Sequence, residues 1–176
     1  NTYCGASYSR QFLLILLKVD LMDLTALHKL LKHQQPGYSL EQAFYVQEEI
    51  FQFEWEHIWK KYWLFAGTTA DIPHPGDYFL YQAGRDSIII IRDKQGVIHA
   101  HYNTCRHRGS LICSAERGQV PKLMCPYHAW VYALDGRLIK ARLMPEDFDR
   151  NAHSLHPAQL AIVEGFIFVS LADQPP

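Results

Sequence analysis

Cysteine and histidine are interleaved twice within a short stretch of this chain. The segments are Cys105-Arg106-His107-Arg108-Gly109 and Cys125-Pro126-Tyr127-His128-Ala129-Trp130, a pattern C-x-H-x17-C-x2-H. Thiolate and imidazole both bind metals, and their mixing within each segment narrows the chemistry. Four thiolates would suit a plain ferredoxin cluster or a structural zinc. Two thiolates with two imidazoles suit an asymmetric 2Fe-2S centre, with Cys105 and Cys125 on one iron and His107 and His128 on the other.

Ligand type sets the charge and therefore the redox behaviour. Two ferric ions and two sulfides carry plus two; four thiolates bring this to minus two, whereas two thiolates and two neutral imidazoles bring it to zero. The neutral centre accepts an electron more readily, with potentials of roughly −150 to +300 mV against roughly −400 mV for an all-cysteine plant-type cluster. Each imidazole keeps one nitrogen off the metal, so electron and proton transfer are coupled at His107 and His128. The same four residues also admit a tetrahedral structural zinc site. Zinc knuckles, however, usually group cysteine with cysteine and histidine with histidine.

With C-x-H-R-G followed by C-P-Y-H-x-W, the chain resembles the Rieske non-haem iron oxygenases. Rieske proteins of respiratory complexes carry two further cysteines that brace the cluster loops by a disulfide; Ser110 and Tyr127 stand at those positions here. The resemblance runs from about Leu40 to Ala172 and is to the N-terminal Rieske domain of a ring-hydroxylating type alpha subunit. Within the family, Gln42-Ala43-Phe44-Tyr45, Trp63-Leu64-Phe65-Ala66-Gly67, Pro75-Gly76-Asp77-Tyr78-Phe79 and Gly165-Phe166-Ile167-Phe168-Val169 most resemble the glycine betaine monooxygenase and quaternary-amine demethylase branch.

That resemblance implies an electron-relay role: a flavin or ferredoxin-type reductase supplies electrons from NAD(P)H, and a mononuclear Fe(II) activates O2 for monooxygenation or dioxygenation. The Fe(II) belongs to a separate C-terminal domain absent from these residues, so no catalytic residue is assigned within 1–176. It also implies a homotrimer, in which His128 is the candidate bridge to the neighbouring subunit's iron site. Two alternatives remain: a stand-alone Rieske ferredoxin, and a structural zinc module.

Other metal-capable residues carry less. His99 and His101 share a strand face, but no carboxylate partner is evident. Asp149, His153 and His156 evoke a two-histidine, one-carboxylate iron triad, yet lack the spacing of the oxygenase iron site. Cys113 reads as a packed free thiol, and Cys4 lies far upstream. Arg106 and Arg108 suit either surface ion pairs or docking of a donor or neighbouring subunit. Trp130 is expected to pack under the second loop, with Pro126 stiffening it.

The elements that must position these residues are mainly β. Short strands are expected at Tyr62–Phe65, Asp77–Tyr81, Ser87–Arg92, Val97–Tyr102, Trp130–Ala133, Leu138–Lys140 and Gly165–Leu171, rich in β-branched and aromatic residues. Turn signals fall at Ala83-Gly84-Arg85-Asp86, at Asp93-Lys94-Gln95-Gly96 and at Leu134-Asp135-Gly136-Arg137, the last read as a two-residue Asp-Gly turn. The expected fold is a Rieske-type antiparallel β-sandwich carrying two cluster-binding loops. A helical segment over 22–62 precedes the Rieske domain over 63–176; it includes an amphipathic helix at Glu48–Tyr62, and Ser39 is a candidate cap for a further helical pattern.

At 176 residues, 48% of them hydrophobic and 20% charged, the chain can bury one core. Its net charge of −1 and the lack of a basic stripe give no footprint for nucleic acid or an anionic membrane. The apolar run Phe12–Leu17 falls short of the roughly twenty residues of a membrane span. Cysteines committed to metal fit a reducing cytoplasm. Met22 opens the amphipathic pattern, so residues 1–21 are expected to be a non-native or disordered leader.

Overall fold

The computed structural model describes residues 24–176; the expected leader and the start at Met22 lie outside them. The chain divides into two compact units, one ending at Ile58 and one running from Trp59 to Pro176.

The first unit holds helices α1 (Leu24–Lys32), α2 (Ala43–Val46) and α3 (Glu48–His57). Helix α3 stops earlier than its aromatic pattern predicts, because Ile58 leaves the helical region at φ −121° and ψ −73°. Trp59–Lys61 is a separate 3-10 turn. Ser39 does not cap a helix: the first turn of hydrogen bonds there is closed by Phe44 to Glu41 and Tyr45 to Gln42.

The second unit is built from three antiparallel sheets. Strands β1 (Leu64–Thr68), β10 (Phe166–Ser170) and β9 (Gln159–Val163) form one, in the order β1-β10-β9. Strands β4 (Ile98–Tyr102), β3 (Asp86–Arg92), β2 (Asp77–Ala83) and β5 (Arg117–Gln119) form the second in that order. The third is β6 (Leu123–Met124), β7 (Val131–Tyr132) and β8 (Leu138–Lys140). Three strands, β5, β6 and β9, escape the sequence pattern. All of β5 is exposed and polar, and β6 has two residues, so neither carries a period; each exists because a stronger strand, β2 or β7, offers it a partner.

Strand β3 anchors the core. Ile88, Ile89, Ile90 and Ile91 are all fully buried, so both faces of the strand are covered. Each such side chain contributes roughly 1.5–3 kcal/mol of burial. The turn after it, from Asp93 to Gly96, closes through Gly96 N–H to the Asp93 carbonyl at 3.2 Å and Asp93 N–H to Val97 at 2.8 Å. The hairpin from β7 to β8 repeats this geometry: Gly136 donates to Ala133 at 3.0 Å, and Ala133 to Arg137 at 2.8 Å. It is therefore a type I turn centred on Leu134 and Asp135, with Gly136 at φ 88°, and not the expected two-residue Asp-Gly turn, which needs positive φ at Asp135 as well.

Candidate metal centre

The two Cys/His segments fold as near-copies of one another. In each, the cysteine N–H donates to the carbonyl five residues on: Cys105 to Ser110 and Cys125 to Trp130, both at 2.9 Å. In each, the cysteine carbonyl accepts the N–H four residues on, from Gly109 at 2.9 Å and from Ala129 at 3.1 Å. The residue at that fourth position is left-handed in both loops, Gly109 at φ 74° and Ala129 at φ 54°. Glycine adopts this conformation without cost; alanine does so against a penalty of roughly 1–2 kcal/mol.

Cys105 and Cys125 are each 2% exposed and belong to one buried cluster with Ile89, Leu123, Trp130 and Tyr132. Burial pushes the Cys105 thiol up; the Tyr132 hydroxyl and the His107 N–H pull against this, while the neighbouring Cys125 adds to the rise. The half-buried rings of His107 and His128 meet edge to face, 4.6 Å between centroids and 72° between planes. Burial, then the charges of His128 and Arg108, hold His107 below its ordinary value and keep it in the neutral form a metal needs. The Nδ1 atoms of His107 and His128 are both buried with no hydrogen-bond partner.

Two adjacent thiols and two adjacent rings, each with a bare nitrogen, suit a centre with sulfur ligands on one side and nitrogen ligands on the other. The residues fit the implied cluster on that observation: an orphaned buried ring nitrogen is costly unless something binds it. Among the described residues, no three His, Cys, Asp or Glu side chains gather around a single ion. The donors pair sulfur with sulfur and ring with ring instead.

Several supporting side chains escaped the sequence reading. Asn103 is fully buried at the root of the first loop; its Oδ1 accepts the N–H groups of Ile112 at 3.0 Å and Cys113 at 2.9 Å, and its Nδ2 donates to the Cys113 carbonyl at 2.8 Å. Together with the bridge between Thr104 and Leu111, it closes the loop at its base. Tyr132, fully buried, reaches across from β7 to the Cys105 sulfur and the Arg106 N–H. Its burial could be expected from an aromatic strand; its partner could not, since Tyr132 lies on β7 and Cys105 on the first loop.

Trp130 is 1% exposed, as expected of a packing residue, but its ring lies on His107 of the first loop, at 4.8 Å and 8°. Tyr127, 60% exposed, covers His128 at 3.8 Å and 37°. Arg106 and Arg108 form no ion pair with a described residue. Cys113 is buried and free, with burial raising its thiol and the Tyr78 hydroxyl beside it.

One expectation needs correction. His99 does have a carboxylate partner: its Nε2 lies 2.8 Å from Asp93 Oδ2. Asp93 sits six residues earlier, at the head of the turn, where sequence distance hides it. The His99 and His101 rings stack at 5.8 Å and 10°, and His101 Nε2 donates to the Leu134 carbonyl at 3.1 Å. Both rings are tied to the scaffold by these bonds. His153 bonds the Asp149 main chain through Nδ1 at 2.8 Å and packs on Phe148 at 4.4 Å, and His156 is exposed.

Paired knuckles over a β core, each offering one buried sulfur and one bare imidazole nitrogen, supply the kind of donors that suit an iron–sulfur centre of mixed ligation. The chain belongs to the Rieske [2Fe-2S] domain family, whose model matches residues 62–160. It is 49% identical over 148 residues to the glycine betaine monooxygenase oxygenase subunit of Chromohalobacter salexigens, covering 84% of this chain and 33% of that protein. It is 31% identical to the carnitine monooxygenase oxygenase subunit of Escherichia coli, over 78% of this chain and 37% of the relative. Among solved structures, naphthalene 1,2-dioxygenase from Rhodococcus superposes with a TM-score of 0.78 at 31% identity, covering 86% of this chain and 36% of that one. The quaternary ammonium Rieske monooxygenase CntA bound to L-carnitine superposes at 0.71 and 33%, over 77% and 39%. The chain thus spans about a third of the length of the relatives it matches.

Proposed function

We propose that this chain is the electron-relay part of a Rieske oxygenase alpha subunit. In this reading Cys105 and Cys125 hold one iron and His107 and His128 the other. When bound, the cluster supplies reversible uptake of a single electron. The observation that carries the reading is the pair of orphaned Nδ1 atoms on the same two loops that carry the paired thiols.

The residues around the site have separate tasks. The buried cysteines keep water from the sulfur side, with the Tyr132 hydroxyl the polar contact to Cys105. His107 and His128, bound through Nδ1, keep Nε2 as the atom that carries or releases a proton. His128, next to the exposed Tyr127, is the histidine proposed to meet a carboxylate of a neighbouring subunit in a homotrimer. A flavin or ferredoxin-type reductase drawing on NAD(P)H is the proposed electron source, and a mononuclear Fe(II) in a further domain the proposed acceptor. The proposed reaction is O2-dependent hydroxylation or N-demethylation, with a quaternary ammonium compound such as glycine betaine favoured by the relatives' names. A cytoplasmic location is proposed from the free cysteines at 105, 113 and 125; among the described residues no helix is long and apolar enough to cross a membrane.

Anaerobic titration of the purified protein with dithionite tests the relay. One electron per two irons, with bleaching that is reversed on reoxidation by air, supports it; a protein that takes up no electrons overturns it.

A further inference from the structure

The two histidines of the site are held unequally. His107 lies flat against Trp130, an indole 1% exposed and therefore fixed, whereas His128 packs on Tyr127, 60% exposed, and on the edge of His107 itself. Trp130 belongs to the second loop and His107 to the first, so this stack crosses between loops. The described cysteines at 105, 113 and 125 are all free, so no disulfide among them does so.

Two further rings pack against the indole. Phe148 meets it edge-on at 5.5 Å and 67°, and His153 at 6.0 Å and 76°. Phe148 and His153 pack on each other, and His153 is tethered to the Asp149 carbonyl. An indole so wedged cannot change plane without displacing both. A ring lying within 8° of it cannot turn about its Cβ–Cγ bond without losing the stack.

We propose that Trp130 is a positioning residue for His107: packed by Phe148 and His153, it fixes the plane of the imidazole whose Nδ1 is buried without a partner, while the ring of His128 is held only by the exposed Tyr127 and the edge of His107. The inference rests on the ligand assignment proposed above. Through it the two nitrogen ligands become distinguishable, one held by the protein core and one by a surface residue.

Nitrogen hyperfine spectroscopy on the reduced, cluster-loaded chain carrying labelled histidine is the test. Wild type is expected to show one sharp and one broader histidine coupling. Trp130→Leu broadens the sharp coupling and leaves the other unchanged; Trp130→Phe, which restores a flat ring in the same slot, keeps it sharp. Phe148→Ala leaves Trp130 in place without its edge support and broadens the same coupling by a smaller amount. Phe148→Ala decides the matter if Trp130→Leu does not fold. Couplings that stay at wild-type width in Phe148→Ala, or in a folded Trp130→Leu, overturn the proposal. A wild-type sample with no histidine coupling at all overturns the ligand assignment instead, whatever the variants show.

Discussion

The Tyr132 hydroxyl lies 3.3 Å from the Cys105 sulfur and accepts the Arg106 N–H at 3.1 Å. With its lone pair engaged by Arg106, its own hydrogen is free to point at the sulfur. A donor to a thiolate ligand favours the more negative, reduced state of the centre it helps to hold. Tyr132→Phe removes that donor while keeping the buried ring. A loss of about 1 kcal/mol of differential stabilisation corresponds to roughly 40 mV for one electron. Protein-film voltammetry is expected to show a potential lower by an amount of that order; an unchanged or higher potential contradicts the assigned role.

Asn103 closes the base of the first loop by holding two N–H groups and a carbonyl that no water can reach. Replacing it by alanine leaves these groups unpaired, at about 1–3 kcal/mol per unsatisfied group before relaxation. Asn103→Ala is expected to lower stability by about 2–4 kcal/mol in denaturant unfolding and to speed cluster loss to a chelator. Asn103→Asp, which retains the acceptor for Ile112 and Cys113, should recover part of the loss.

The matched left-handed positions of the two loops give substitutions of opposite sign. A Cβ at Gly109 meets nothing within 4 Å, so Gly109→Ala costs only the backbone conformation, about 1–2 kcal/mol offset by the entropy glycine loses on folding. Ala129 already bears that strain. Ala129→Gly is therefore expected to be neutral or stabilising by up to about 1 kcal/mol, measured as a shift in denaturation midpoint.

Burial, the largest influence on His101, holds its pKa below the ordinary value, with the nearby His99 acting the same way and the Leu134 carbonyl and Asp135 opposing. The unfolded chain takes up a proton at this position as pH falls through about 6.5, and the folded chain does not until lower pH. The stability linked to His101 is thus fully present above about pH 6.5 and is lost progressively below it. Thermal midpoints of the cluster-loaded protein are expected to fall between pH 6.5 and 5, and to fall less steeply in His101→Gln. Equal slopes for the two proteins would show that His101 is not the titrating group.

The sequence was most informative where chemistry and local pattern coincide. The donor types at 105, 107, 125 and 128 and the strands around Ile88–Ile91 are legible because thiol, imidazole and β-branched runs carry their meaning locally. Strands β5 and β6 were invisible because a polar or two-residue strand is defined by its partner. The same limit hid Asp93 from His99, Trp130 from His107 and Tyr132 from Cys105. Each of these pairs is made by a turn or a loop crossing that residue spacing does not encode. The turn at Leu134–Asp135 was misread for a related reason: Asp-Gly suits two turn types, and the register of β7 against β8 selects between them.

The central claim is that Cys105, His107, Cys125 and His128 hold a mixed-ligand [2Fe-2S] cluster. Electron paramagnetic resonance of the dithionite-reduced chain, with iron and acid-labile sulfide assayed on the same sample, tests it most directly when Cys105→Ser and Cys113→Ser are run alongside wild type. Wild type and Cys113→Ser are expected to give a rhombic signal, with an average g below that of four-cysteine ferredoxins and equal iron and sulfide, whereas Cys105→Ser gives neither signal nor sulfide. A colourless, zinc-containing wild type, or a full cluster in Cys105→Ser, would contradict the account.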